Sequence, residues 1–254
     1  TTEIYTLSLH DALPISNVQG LWPTPATLAT PSTPAMTAYL KLWLIRHGES
    51  LGNIDGRLEG QMSTPLSAKG QWQSSQLAAY LKHQGPPSQI YSSPLQRAVE
   101  TARYLETEQP LQLVADLQEL HQGIFQGLTW AEASHRHPQL CASLTSSLDY
   151  QPIPEAETLV AAHGRAVHWY QTLWQRHAPG DTVWMVTHGG FMQQLIRVIL
   201  GCDRTWQLPI RHTALFEFWL LGPVHSKGSQ HNPECWKILK FNETPHLDPL
   251  DPPM

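Results

Sequence analysis

The sequence predicts a single α/β domain of three layers, with a mostly parallel central sheet and helices on both of its faces. Three observations carry this. Short apolar runs of strand length alternate with longer amphipathic runs through most of the chain; that alternation builds sheets covered by helices. Two of the apolar runs, Leu40–Ile45 and Thr182–Thr187 (TVWMVT), pass directly into Arg46-His47-Gly48 and His188-Gly189-Gly190. No run approaches the roughly 20 apolar residues of a membrane-spanning helix.

The elements follow in order. Leu40–Ile45 is the first strand, and a polar, glycine-bearing loop extends from Gly48 to Pro65. Ser67 caps a helix reaching about Lys82, with Leu77, Tyr80 and Leu81 on its apolar face and Gln84-Gly85-Pro86-Pro87 as its stop. Gln89–Ser92 is a short second strand. Ser93-Pro94-Leu95-Gln96 reads as a capping box with proline at the first helical position, opening a helix to about Leu105 with Arg97 in its first turn. Leu111–Val114 reads as a strand, Thr129 as the cap of a short helix to about His135, and 141–154 as an irregular cover for a site. A long helix is expected over about 155–177, because Leu159, Ala162, Ala166, Trp169 or Tyr170, and Leu173 recur at helical spacing. Pro179-Gly180 ends it. TVWMVT is a buried strand and is followed by an apolar helix through Leu200. Two late runs, Ala214–Leu221 and Cys235–Phe241, read as strands.

Composition narrows the possibilities. A net charge of −5 over 254 residues argues against a nucleic-acid partner, so an anionic ligand must be drawn by a local basic pocket. The three cysteines, Cys141, Cys202 and Cys235, have neither metal-site spacing nor the even count of a disulfide framework. They read as buried thiols of a reducing, cytoplasmic compartment. Residues 1–35 look foreign to the fold. They contain no Lys, Arg or Met, and Tyr5–Ser16 (YTLSLHDALPIS) resembles a translated sequencing adapter. The expectation is a non-native leader, with the domain spanning 36–254 from Met36. The positive flank and long apolar stretch of a secretory signal are missing from it.

The chemistry gathers at strand ends. Ligands of open α/β sheets bind beyond the carboxyl ends of strands, and two strands there deliver His47 and His188. Arg46 follows one strand, and Arg97 sits in a helix's first turn. Guanidinium groups offer a fixed fork for phosphate oxygens. A neutral imidazole is a competent nucleophile near neutral pH. Gly189 and Gly190 open a helix, whose free N–H groups are expected to face an anion. Together these parts suit a small phosphorylated metabolite. His163-Gly164-Arg165 lies inside the long helix and is read as surface. His83, His135, His137 and His177 are read as solvated, and Glu49 as a structural partner of the first loop.

The ordered motifs resemble the histidine phosphatase superfamily, which includes the cofactor-dependent phosphoglycerate mutases. They are LIRHGES (44–50) with Asn53 beyond it, RLEGQ (57–61), PLSAKG (65–70), SSPLQRAVETA (92–102), LQELHQG (117–123), VTHGG (186–190) and FNETPHL (241–247). The resemblance implies that His47 is the nucleophile that becomes phosphohistidine. It implies that Arg46, Arg97 and His188 hold the transferred phosphoryl group. Glu119 would protonate the leaving oxygen and then serve as base for water. Asn53, Gly60 and Gln61 would line the substrate side, with the Gly189 N–H as a further donor. Neither metal nor cofactor is implied. Ser63, Phe125, Gln126 and Ala156 stand where the family often carries Asp, Trp, Glu and Gly, which leaves substrate preference open.

The expected activity is hydrolysis of small phosphate monoesters. Two alternatives stay open: mutase-type phosphoryl transfer, and a phosphate- or phosphoprotein-binding module without turnover. Mutases of the family carry extra basic residues between the acid and the second histidine. Here 120–187 holds only Arg136, Arg165 and Arg176, and no lysine.

Overall fold

A computed structural model describes residues 38–105, 107–202, 204, 206–222 and 232–247. The leader expected at 1–35 lies outside the described residues. In chain order the elements are β1 (Leu40–Arg46), α1 (Leu51–Ile54), α2 (Ala68–Leu81), β2 (Gln89–Ser92), α3 (Gln96–Tyr104), β3 (Leu111–Leu113), α4 (Trp130–Arg136) and α5 (Pro138–Ser146). They continue with α6 (Leu159–Arg176), β4 (Thr182–Thr187), α7 (Gly189–Ile199), β5 (Leu215–Leu220) and β6 (Trp236–Glu243). Short 3-10 turns cover Ala115–Leu117, Gly123–Phe125 and Pro233–Cys235.

The six strands form one sheet in the order β3-β2-β4-β1-β5-β6. β1, β2, β3 and β4 run parallel, and β5 and β6 join antiparallel at one side. Side chains alternate along β1 and fill two cores. Leu40, Leu42 and Leu44 pack with Trp169 and Leu173 of α6 and Phe191 and Leu195 of α7. Trp43 and Ile45 pack on the opposite face with Leu77 and Leu81 of α2 and Ala98 and Ala102 of α3. A strand buried on both faces reads as a nearly continuous apolar run, here interrupted only by Lys41. No helix among the described residues is long and apolar enough to cross a membrane.

Several boundaries differ from the sequence reading. The helix expected from Ser93 begins at Gln96 with Leu95 as its N-cap, and no side chain caps it. The Ser93 hydroxyl is engaged elsewhere, as shown below. The stretch expected to be irregular contains α5, which opens on Pro138 and turns Cys141 into a small core with Phe125, Leu128 and Ala133. The long helix starts later than expected, at Leu159, because Thr158 accepts a hydrogen bond from Ala161 N–H as its cap. Upstream, Glu155 holds a positive φ of 62° that no helix admits. His177 is not solvated: its side chain is 9% exposed, and its imidazole meets the Tyr91 hydroxyl at 2.9 Å. Cys202 and Cys235 are half-buried, and only Cys141 of the three free thiols is fully buried.

Register places the site. Arg46 pairs with Thr187 across β1 and β4, so the next residues, His47 and His188, leave the sheet side by side. The loop after β1 is held against α2, where a Cβ on Gly70 would overlap the backbone of Glu49. Glu49 accepts from Ser67 Oγ at 2.9 Å and Lys69 Nζ at 3.0 Å, as its reading as a loop partner anticipates. Gly→Ala in a helix ordinarily stabilises by about 1 kcal/mol. Gly70→Ala is expected instead to cost about 2 kcal/mol through the overlap, lowering the thermal midpoint by roughly 4–8 °C. A raised midpoint by circular dichroism would contradict this packing.

Candidate active site

The ring centroids of His47 and His188 lie 5.0 Å apart, both in the buried class. The His47 Nδ1 is 2.7 Å from the Gly48 carbonyl oxygen. A carbonyl only accepts, so Nδ1 carries the proton and Nε2 the lone pair. That lone pair faces Arg97, whose Nε–H approaches to 3.3 Å. Burial, then His188, Arg46 and Arg97, hold the His47 imidazole well below its ordinary pKa of 6.5, against the opposing pull of the Gly48 carbonyl. The ring is therefore neutral, with its free electron pair turned into the site.

Arg97 is 1% exposed. Its Nη2 donates to Gly60 O at 2.8 Å and Nη1 to Met62 O at 2.6 Å. Glu59 lies 3.8 Å from its Nε. Glu59 also accepts from Ser50 Oγ at 2.7 Å, Asn53 Nδ2 at 2.9 Å and the Thr64 hydroxyl. Arg46 donates to the Ile210 carbonyl, while its buried Nε has no partner among the described residues. Burial lowers the pKa of both arginines, yet a guanidinium stays charged in proteins. His188 Nε2 meets Ser93 Oγ at 2.8 Å, and its Nδ1 has no partner among the described residues. Burial, Arg97, Arg46 and Arg165 push its pKa well below 6.5.

Glu119 joins this group from the loop after β3. Its Oε2 accepts from Gly190 N–H at 2.9 Å, and its Oε1 from Phe191 N–H and Leu120 N–H, each at 2.9 Å. The first turn of α7 was expected to present these N–H groups to a bound anion. Instead the Glu119 carboxylate occupies that turn, where the helix dipole favours negative charge. A Cβ on Gly190 would meet Glu119 Oε1 at 2.5 Å, whereas one on Gly189 would face Arg46 Nε at 3.6 Å. Thus the two glycines serve different neighbours.

The remaining expected residues are structural as much as ligand-facing. Asn53 caps α1 through Ser50 and donates to Glu59. Gly60 has φ +49°, a conformation suited to glycine, and its carbonyl holds Arg97. Gln61 donates from Nε2 to the Glu119 carbonyl at 3.1 Å. Among the described residues no cluster of three or more His, Cys, Asp or Glu is placed to hold a metal ion.

Two site residues escaped the sequence reading. Ser93 was taken for a helix cap; its hydroxyl accepts from Leu95 N–H, which lies ahead of the helix, and also bonds His188. His212 lies 5.9 Å, ring to ring, from His47 and meets Asn53 Oδ1 at 2.9 Å. It precedes β5, which runs antiparallel beside β1, so a strand's entrance rather than its exit brings it here. The adjacent Thr213 has φ 56°, unusual for a β-branched residue. That conformation lets its N–H reach the Arg46 and His47 carbonyls at 3.1 and 3.3 Å.

A sheet that delivers two imidazoles, two guanidiniums and a carboxylate to one edge defines an α/β protein built for phosphoryl chemistry. The chain belongs to the histidine phosphatase superfamily (branch 1), whose model matches residues 42–220. It is 31% identical over 161 residues to phosphoglycerate mutase-like protein 4 of Arabidopsis thaliana, covering 62% of this chain and 70% of that one. It is 32% identical over 156 residues to a metal-independent phosphoserine phosphatase of the same plant, covering 60% and 65%. A solved phosphoserine phosphatase from Entamoeba histolytica, in complex with 3-phosphoglyceric acid, superposes with a TM-score of 0.64 at 26% identity over 82% of this chain and 99% of that one. The sequence reading of a histidine phosphatase, a metal-independent hydrolase of phosphate esters, agrees with this family and these relatives.

The folded protein resists protonating three histidines, since burial and neighbouring cations hold His212 down to about 4 as well. The unfolded chain takes up those protons below about pH 6.5. The stability from these sites is therefore full above that pH and is lost as the pH falls toward the folded values. His212→Asn removes one of the three and should reduce the drop in thermal midpoint between pH 6.5 and 4 by roughly 5–10 °C, the equivalent of about 2.5 kcal/mol. An unchanged pH slope in calorimetry would refute the linkage.

Proposed function

We propose that this chain hydrolyses small phosphate monoesters through a phosphohistidine formed at His47. The observation that carries the reading is the tautomer of that ring: Nδ1 is committed to Gly48 O, so Nε2 presents its pair among fixed cations. Arg46, Arg97 and His188 Nδ1 take the phosphoryl oxygens. The His47 Nε2–P bond forms as the bond from phosphorus to the ester oxygen breaks, and Glu119, which takes up a proton when the substrate dianion binds beside it, gives that oxygen the proton. Glu119 then takes a proton from water, which attacks phosphorus, breaks the N–P bond and releases phosphate. Splitting hydrolysis in this way replaces one difficult step by two easier ones. Positioning and charge stabilisation supply most of the rate.

Hydrolysis is favoured over mutase transfer by the absence of a second cationic clamp. A cavity of about 470 Å³ begins at Leu120, directly after Glu119, and is lined largely by Leu144, Leu148, Tyr150, Ile153 and Leu159, with no Lys or Arg. A second phosphate there would meet no Lys or Arg and would face the carboxylates of Asp149 and Glu157, which disfavours it. Substrates are small metabolites rather than nucleic acid, given the net charge of −5. A cytoplasmic location is part of the proposal, supported by three free thiols.

Steady phosphate release from an aryl phosphate is expected, unaffected by EDTA. His47→Ala should lower turnover by several orders of magnitude. Full activity in that variant would assign the nucleophile elsewhere, and binding without release would make the chain a phosphate-binding module. On 2- and 3-phosphoglycerate with added bisphosphate, phosphate release should exceed interconversion. The reverse ratio would establish a mutase.

A further inference from the structure

Arg165 was read from the sequence as a surface residue of the long helix, and the structure corrects this. Its side chain is 16% exposed, and every face of its guanidinium is engaged. Nε and Nη2 form a two-pronged pair with Glu157 at 2.9 and 2.7 Å. Nη1 donates to the Asp116 and Gln118 carbonyls at 2.6 and 2.7 Å. Its Cζ stacks 4.5 Å from the ring centroid of Phe191. These contacts converge on one residue. Asp116 and Gln118 lead into Glu119, and Phe191 is the residue whose N–H donates to Glu119 Oε1. Glu157, the other half of the pair, donates its own N–H to the His121 carbonyl at 2.9 Å, just past Glu119.

We propose that the Arg165–Glu157 pair is a positioning device for Glu119, fixing the loop that carries it on both sides and holding the helix turn that receives its carboxylate. The inference rests on the reading of Glu119 as proton donor. Companion contacts close the frame. Thr187 Oγ1 donates to the Leu117 carbonyl at 2.6 Å, and Gln61 Nε2 donates to the Glu119 carbonyl. The carbonyls of Asp116 and Gln118 are thus held by Arg165, that of Leu117 by Thr187, that of Glu119 by Gln61 and that of His121 by Glu157. Such multiple restraint suits a group whose proton must reach the leaving oxygen within hydrogen-bond distance. A half-buried pair of this kind is weak evidence for stability, and its contacts point to orientation as its use. Arg165 is also one of only three arginines in 120–187. Four of its five N–H donors are committed, which leaves it poorly suited to grip a second substrate phosphate.

The test reads leaving-group dependence, because a proton donor matters for a basic leaving oxygen and little for an acidic one. For each variant, kcat/KM is measured on a series of phosphate esters from p-nitrophenyl phosphate to simple alkyl phosphates. The ratio between substrates does not depend on how much of a variant is folded. Glu119→Gln should lose on the order of a hundredfold more on alkyl than on p-nitrophenyl phosphate. Arg165→Met and Glu157→Gln should each show the same selectivity at about tenfold, and Arg165→Met should add no further selectivity in the Glu119→Gln background. Equal losses across the series for Arg165→Met and Glu157→Gln, with Glu119→Gln still selective, would overturn the positioning role alone. Equal losses for Glu119→Gln itself would remove the assignment of Glu119 and this proposal with it.

Discussion

Two guanidinium groups, Arg97 buried and Arg46 half-buried, set around an uncharged imidazole are the constraint on which the rest of this molecule depends. Removing an ion from water costs several kcal/mol even after relaxation, and Arg97 is almost wholly enclosed. Glu59 offsets part of its charge at 3.8 Å, and Gly60 and Met62 supply backbone acceptors. Arg46 retains an unpartnered buried Nε, and His188 an unpartnered Nδ1, among the described residues. Each unmet buried donor costs about 1–3 kcal/mol. In the proposed reaction a phosphate dianion has the charge and the oxygens to meet these donors. Burial and the same positive field keep His47 neutral, which is the state its proposed role as nucleophile needs.

The scaffold exists to hold that arrangement. Parallel pairing of β1 with β4 sets His47 beside His188, and parallel pairing of β2 with β4 brings Ser93 under the second ring. Paired cores on the two faces of β1 keep the strand ends from shifting. Interiors packed this closely transmit displacement rather than absorb it, so a small change in α2 or α6 reaches the imidazoles. The loops supply the remainder. One carries Glu119 onto the start of α7, and the other lets Arg97 donate into the backbone around Gly60.

Much of this was legible in the sequence, for physical reasons. β1 and β4 are mostly apolar because both faces are buried, and each is followed directly by a histidine. Ordered motifs then singled out Arg97 and Glu119, which composition alone would not distinguish from surface residues. What escaped was non-local. His212 comes to the site at the start of an antiparallel strand, where the rule about strand exits gives no warning. Arg165 looked like a charge on an amphipathic helix, because its partners Asp116, Gln118 and Glu157 lie in irregular segments without a periodic signal. Ser93-Pro94-Leu95-Gln96 fitted a helix cap locally, but the demand of a buried imidazole for a partner outweighed it. α5 was hidden in a stretch whose apolar residues serve only a small side core.

The central claim is tested most directly by stopping the reaction with a radiolabelled phosphate ester in base and locating the label. The account predicts a phosphoenzyme that survives alkali, is lost in acid, and maps by mass spectrometry to His47. Label on His188 or His212, on a carboxylate or hydroxyl side chain, or on no residue during steady turnover would contradict it.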